Sequence, residues 1–77
     1  MSGREKSAAS CARGGAIRAA RSERRYSQEA FAAHAGLDRS YFGAIERGEF
    51  NITIDTLMTI AAGLGVPASA LLRRAQL

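Results

Sequence analysis

Seventy-seven residues, 47% apolar but only 6% aromatic and rich in Ala, make one small domain of closely packed helices near the lower size limit for an unstapled core. One Cys and one His exclude an intrachain disulfide and a tetrahedral metal site of protein ligands, so no cofactor is expected; no apolar run approaches the roughly 20 residues of a bilayer span. The net charge of +4 is uneven: residues 1–25 carry seven Lys and Arg against two Glu, whereas residues 26–72 carry two Arg against five acids, so a polyanion is drawn to the N-terminal third.

Met1 to Arg13 is small, polar and aperiodic, and reads as a flexible basic arm (1–13) ahead of a helical domain (14–77). The other reading starts a helix as early as Ser7 and runs it through Gly14 and Gly15, at roughly 1 kcal/mol for each interior Gly. Lone Cys11 is expected as a surface thiol. Together with the absence of an apolar leader or span, it suits a reducing cytoplasm and no membrane partner. The first firm helix is predicted from about Gly15 to Arg24, with Ile17 and Ala20 inward and Arg18, Arg24 and Arg25 outward.

Ser27 is a good N-cap for a second helix, Gln28 to His34, with Glu29 in its first turn and Phe31, Ala32 and Ala35 on its inner side. His34 falls at its exposed end, and Gly36 ends it as a left-handed cap. Leu37 plugs the turn and Asp38 caps a third helix, on which Phe42 and Ile45 face the core. At 100° per residue, Ser40, Gly43, Ala44 and Arg47 project on roughly the opposite side. Gly48 stops this helix. Thr53 caps a fourth, whose apolar stripe is Ile54, Leu57, Ile60, Ala61 and Leu64. Gly65 ends that one, and Pro67, as its first residue, opens a fifth to about Arg74. The expectation is an all-α, five-helix fold in which Ser27 to Arg47 forms a helix-turn-helix.

With these residues in view, the chain resembles the phage-repressor-like (Xre-type) helix-turn-helix family over roughly Ala16 to Leu72. Its marks, in order, are Arg21, Ser27-Gln28-Glu29-Ala30-Phe31-Ala32, Ala35-Gly36-Leu37, Ile45-Glu46-Arg47-Gly48, Thr53-Ile54-Asp55-Thr56-Leu57 and Leu64-Gly65-Val66. Asp38-Arg39-Ser40-Tyr41, with Asn51 after the third helix, is most similar to the controller proteins of restriction–modification systems. The resemblance implies a lambda-repressor-like DNA-binding domain that regulates transcription at its own promoter. The implied partners are double-stranded, palindromic operator DNA, a second copy of the chain, and RNA polymerase at the promoter. It implies that Gln28 holds a phosphate, with Ser27 beside it and Tyr41, Arg47 and Asn51 as further backbone contacts. It also implies that Arg39, Ser40, Gly43 and Ala44 meet the bases, and that Arg21 and Glu46 form an internal ion pair. The chain departs from the controller pattern at Phe50, where a basic residue commonly precedes the loop Asn.

These residue types suit the task. An α-helix fits the major groove of B-DNA, and an Arg near its start can give two parallel bonds to guanine, each such pair worth about 1–3 kcal/mol of discrimination. Ser40 can bond a base edge or a phosphate, or serve only in the first turn. Gly43 and Ala44 allow close approach, and the Tyr41 ring can pack on the second helix while its hydroxyl reaches a phosphate. Spare apolar groups, among them Ile52, Met58, Leu72 and Leu77, point to an isologous dimer through the C-terminal half, or else complete the monomer core. The competing function is a protein-binding module on the same fold, such as an antitoxin. An enzyme is a third class, without paired carboxylates, an activated nucleophile or a phosphate loop to support it.

Overall fold

Each helix begins behind a residue that can take an extended backbone, and most end on one that can turn left-handed. In the computed structural model, which describes residues 7–75, α1 spans Ala8–Glu23, α2 Gln28–Ala35, α3 Arg39–Glu46, α4 Ile54–Leu64 and α5 Ala68–Arg74. Ser27, Asp38 and Thr53 each accept a hydrogen bond from the backbone N–H three residues on, as their N-cap positions predict. Gly36, at φ 75°, closes α2 in the left-handed region that other residues enter at a cost. Pro67 differs from expectation by one place. At ψ 149° it is the extended N-cap of α5, and Ala68 is the first helical residue.

The start of α1 corrects the arm. Ser7 Oγ accepts from the Ser10 N–H at 3.1 Å while Ser10 Oγ accepts from the Ser7 N–H at 2.9 Å, a reciprocal cap that begins the helix at Ala8. Ser7 therefore caps α1 and residues 8–13 are built into it, and the rest of the expected arm, 1–6, lies outside the described residues. Tertiary contacts reinforce this local cap. Buried Ser10 also donates to the carbonyl of Gly48 at 2.7 Å, tying α1 to the end of α3. Gly14 lets the helices close: a Cβ there would stand 2.5 Å from the carbonyl oxygens of Ile45 and Glu46.

Phe31 and Phe42, both fully buried, meet at 5.1 Å between ring centroids in the middle of the core. Such a pair contributes about 0.5–1.5 kcal/mol beyond the area it buries. Ile17 and Ala20 of α1, Leu57, Ile60, Ala61 and Leu64 of α4, and Leu71 of α5 complete the cluster. Ile54 does not join it. It is 67% exposed, because it lies about 70° from the centre of the stripe formed by Leu57, Ile60, Ala61 and Leu64. Arg24 lies outward as expected, but its Nε donates to the Leu64 carbonyl at 2.6 Å and so closes the C-terminus of α4. His34, also at the surface, stacks on Tyr26 at 5.2 Å and has Nε2 3.2 Å from the Gly63 carbonyl.

Candidate nucleic-acid interface

The outer side of the helix-turn-helix is built on one buried carboxylate. Glu46, the last residue of α3, accepts from Arg21 Nε at 2.6 Å, from Arg21 Nη2 at 3.1 Å and from Gln28 Nε2 at 2.9 Å. The two ion-pair side chains are 11% and 3% exposed, so the charges neutralise each other inside the protein. The remaining terminal nitrogen of Arg21, Nη1, donates to the Tyr26 carbonyl at 2.8 Å. Arg21 and Glu46 thus form the expected internal pair, and Gln28 joins it from the first turn of α2.

A cleft of about 280 Å³ opens beside this cluster, lined by Gln28, Arg39, Ser40, Gly43 and Arg47. Arg39 and Ser40 are exposed at the start of α3, and Arg39 has no hydrogen-bond or ion-pair partner among the described residues. Asp38 is occupied in capping, its carboxylate accepting from the Tyr41 N–H at 3.0 Å, which leaves the Arg39 guanidinium free. Gly43 is the floor of the cleft. It is buried, because the Gln28 and Arg47 side chains lie over it, 3.1 and 3.3 Å from where a Cβ would be.

Ala44 is a correction. It is 2% exposed and cannot present its methyl to a base edge. The angular reading allowed α3 a single packed side, whereas α3 packs on α1 as well as α2, which covers this flank. The backbone candidates are spread along the rim. Ser27 is exposed and caps α2, its Oγ accepting from the Ala30 N–H at 3.0 Å. Arg47 is exposed and donates from Nε to Glu49 at 2.6 Å. That hydrogen bond raises the Arg47 pKa above its ordinary value, with the Glu49 charge assisting and desolvation opposing.

Three supports were not foreseen from the sequence. Asn51 is exposed, but its Oδ1 accepts from Arg13 Nη2 at 3.0 Å, so α1 holds the loop residue. Phe50 packs edge-on against Tyr41 at 5.2 Å, giving the half-buried ring a partner in the loop in addition to the second helix expected for it. Glu49 restrains Arg47. The identity of Phe50 carried a signal, as an apolar residue in a polar loop; the Arg13–Asn51 bond depends on where α1 begins, and the Arg47–Glu49 bond on how the chain turns at the end of α3. Of the spare apolar groups, Ile52 and Leu72 are half-buried against the core, Met58 is 56% exposed, and Leu77 lies outside the described residues.

A helix-turn-helix with an uncommitted guanidinium at the tip of its second helix defines a DNA-binding module of the transcription-regulator class. Residues 14–77 match the family model described as a helix-turn-helix domain. The chain is 49% identical over 45 residues to the control protein C.MunI of a Mycoplasma species, a stretch covering 58% of this chain and 61% of that one. It is 40% identical over 58 residues to the control protein C.SmaI of Serratia marcescens, covering 75% and 69%. The crystal structure of the restriction–modification controller protein C.AhdI from Aeromonas hydrophila superposes with a TM-score of 0.78 at 34% identity, over 80% of this chain and 94% of that one. The chain belongs to the helix-turn-helix domain family, alongside these controller proteins.

Proposed function

We propose that this chain is a restriction–modification controller that binds an operator at its own promoter as a dimer. The observation that carries the reading is Arg39, exposed and uncommitted at the start of α3 above a polar cleft. Placed in a major groove, α3 would present Arg39 and Ser40 to base edges over the glycine floor of the cleft. Gln28, Ser27, Tyr41, Arg47 and Asn51 would meet the flanking phosphates. Gln28 spends one amide hydrogen on Glu46 and keeps the other for DNA.

Dimerisation is supported by the exposed pair Ile54 and Met58, four residues apart on one face of α4. An isologous contact there would set two recognition helices about 34 Å apart on one side of the duplex. RNA polymerase at the same promoter and a cytoplasmic location belong to this reading. Selection of bound fragments from random DNA tests it. The expected product is a palindrome whose half-sites lie about one helical turn apart; recovery of no common sequence would defeat the proposal.

A further inference from the structure

A second cleft, also about 280 Å³, lies beside the first and is lined by Arg18, Arg21, Gln28, Glu46 and Arg47. Gln28 and Arg47 line both clefts and so form the wall between them. Within the second cleft the charges are already sorted. Glu46 is matched by the Arg21 guanidinium and by the Gln28 amide, and Arg21 is bonded through all three of its side-chain nitrogens. Arg18 is exposed on α1 and makes no hydrogen bond or ion pair among the described residues. Arg47 lines the shared wall, held by Glu49 through Nε, with Nη1 lying toward Gly43 and the side chain bordering both clefts.

This leaves a concave surface of net positive charge, with one cation wholly unpaired, adjoining the groove-facing cleft. We propose that the second cleft seats a phosphodiester of the bound duplex between Arg18 and Arg47, making Arg18 a backbone-contact residue supplied by α1. The assignment rests on the proposed DNA-binding function and adds a residue outside the helix-turn-helix to it. A sugar–phosphate strand leaving the groove face of α3 meets this cleft next, because both clefts share Gln28 and Arg47. A guanidinium offers a planar fork of donors to phosphate oxygens, and nothing among the described residues competes for that of Arg18.

The test compares Arg18→Ala with Arg73→Ala, which removes the same charge from exposed α5, on the selected operator duplex across a salt series. Arg18→Ala should weaken binding by the dimer about five- to tenfold or more near 0.1 M salt and lower the slope of log K against log salt by about 0.9 for each half-site, roughly 1.8 for the two phosphates of the operator. Arg73→Ala should do neither, and Arg18→Lys should restore most of the slope. In a methylphosphonate scan of the duplex, one neutralised position in each half-site should weaken wild-type binding and weaken Arg18→Ala clearly less, because only the Arg47 contact remains there to be lost. Equal losses and slopes for the two Ala variants, or no position that distinguishes Arg18→Ala from wild type, would overturn the phosphate seat while leaving operator binding intact. Failure of wild-type protein to bind any selected duplex would overturn both.

Discussion

Gln28 donates its side-chain amide to Glu46 Oε1 at 2.9 Å, joining the first residue of α2 to the last residue of α3. A phosphate drawn to Gln28 is thereby registered against the recognition helix, through a carboxylate already fixed by Arg21. Gln28→Ala should weaken binding to all sequences alike and lower the salt slope, because a backbone contact carries no base information. Binding isotherms on operator and unrelated duplexes check this; an unchanged slope would remove Gln28 from the phosphate contacts.

Glu46 itself is structural. Glu46→Ala would leave the Arg21 guanidinium, 11% exposed as a side chain, without its counter-charge. Breaking a buried pair from one side costs about 3–5 kcal/mol, and the partial exposure of Arg21 places the expected loss near the lower figure. A domain of this size has little more than that to lose. Urea denaturation should show a large fall in midpoint with the slope retained, and a fall equal to that of an exposed substitution would contradict this role.

What the sequence made legible follows from how local each signal is. The caps at Ser27, Asp38 and Thr53 and the turn at Gly36 are set by neighbours within four residues, and the structure shows each in place. The Arg21–Glu46 pair came from family resemblance, since nothing local links residues so far apart. The reading failed where a helix meets a partner set by tertiary packing. Residues 7–13 looked aperiodic because what orders them is largely a hydrogen bond from Ser10 to Gly48 and a close approach at Gly14. Helical periodicity by itself turns Ala44 outward, whereas α3 is packed by α1 as well as α2 and Ala44 is buried.

The two adjacent glycines of α1 have opposite expected responses to the same substitution. Gly15→Ala meets nothing within 4 Å and should stabilise the helix by about 0.5–1 kcal/mol. Gly14→Ala would press a methyl to 2.5 Å from two backbone carbonyl oxygens of α3, which no side-chain rotation relieves. Separation of α1 from α3 should cost about 1–3 kcal/mol, outweighing the gain in helix propensity. Thermal melts of the two variants should move in opposite directions; two upward shifts would mean that α1 does not pack on α3 at Gly14.

Arg39→Ala tests base reading. The residue is exposed and unbonded among the described residues, so the fold should be unaffected, within about 0.5 kcal/mol. Sequence preference should be lost at one base position in each half-site, with about 1–3 kcal/mol of discrimination removed there and the remaining positions still read. The assay is competition among operator variants changed one base pair at a time. Retained preference at every position would exclude Arg39 from the base contacts.

In the proposed complex, Glu49 would compete with DNA for Arg47. In the free protein Arg47 Nε donates to Glu49 at 2.6 Å, and the pair is solvent-exposed, with side chains 57% and 28% accessible. A phosphate seated on Arg47 has to share or displace that carboxylate. Glu49→Gln removes the charge while keeping the shape, and should raise operator affinity by about 1.4- to fivefold, the range set by an exposed ion pair of about 0.2–1 kcal/mol. Removing any acid near a duplex also gives a general electrostatic gain, so the same change is made in an Arg47→Ala background. There the competition no longer exists, and only the general gain remains. A smaller effect of Glu49→Gln in that background is the expected coupling between the two residues. Equal effects in both backgrounds would show that Glu49 acts as a distant charge and that Arg47 is already free to bind.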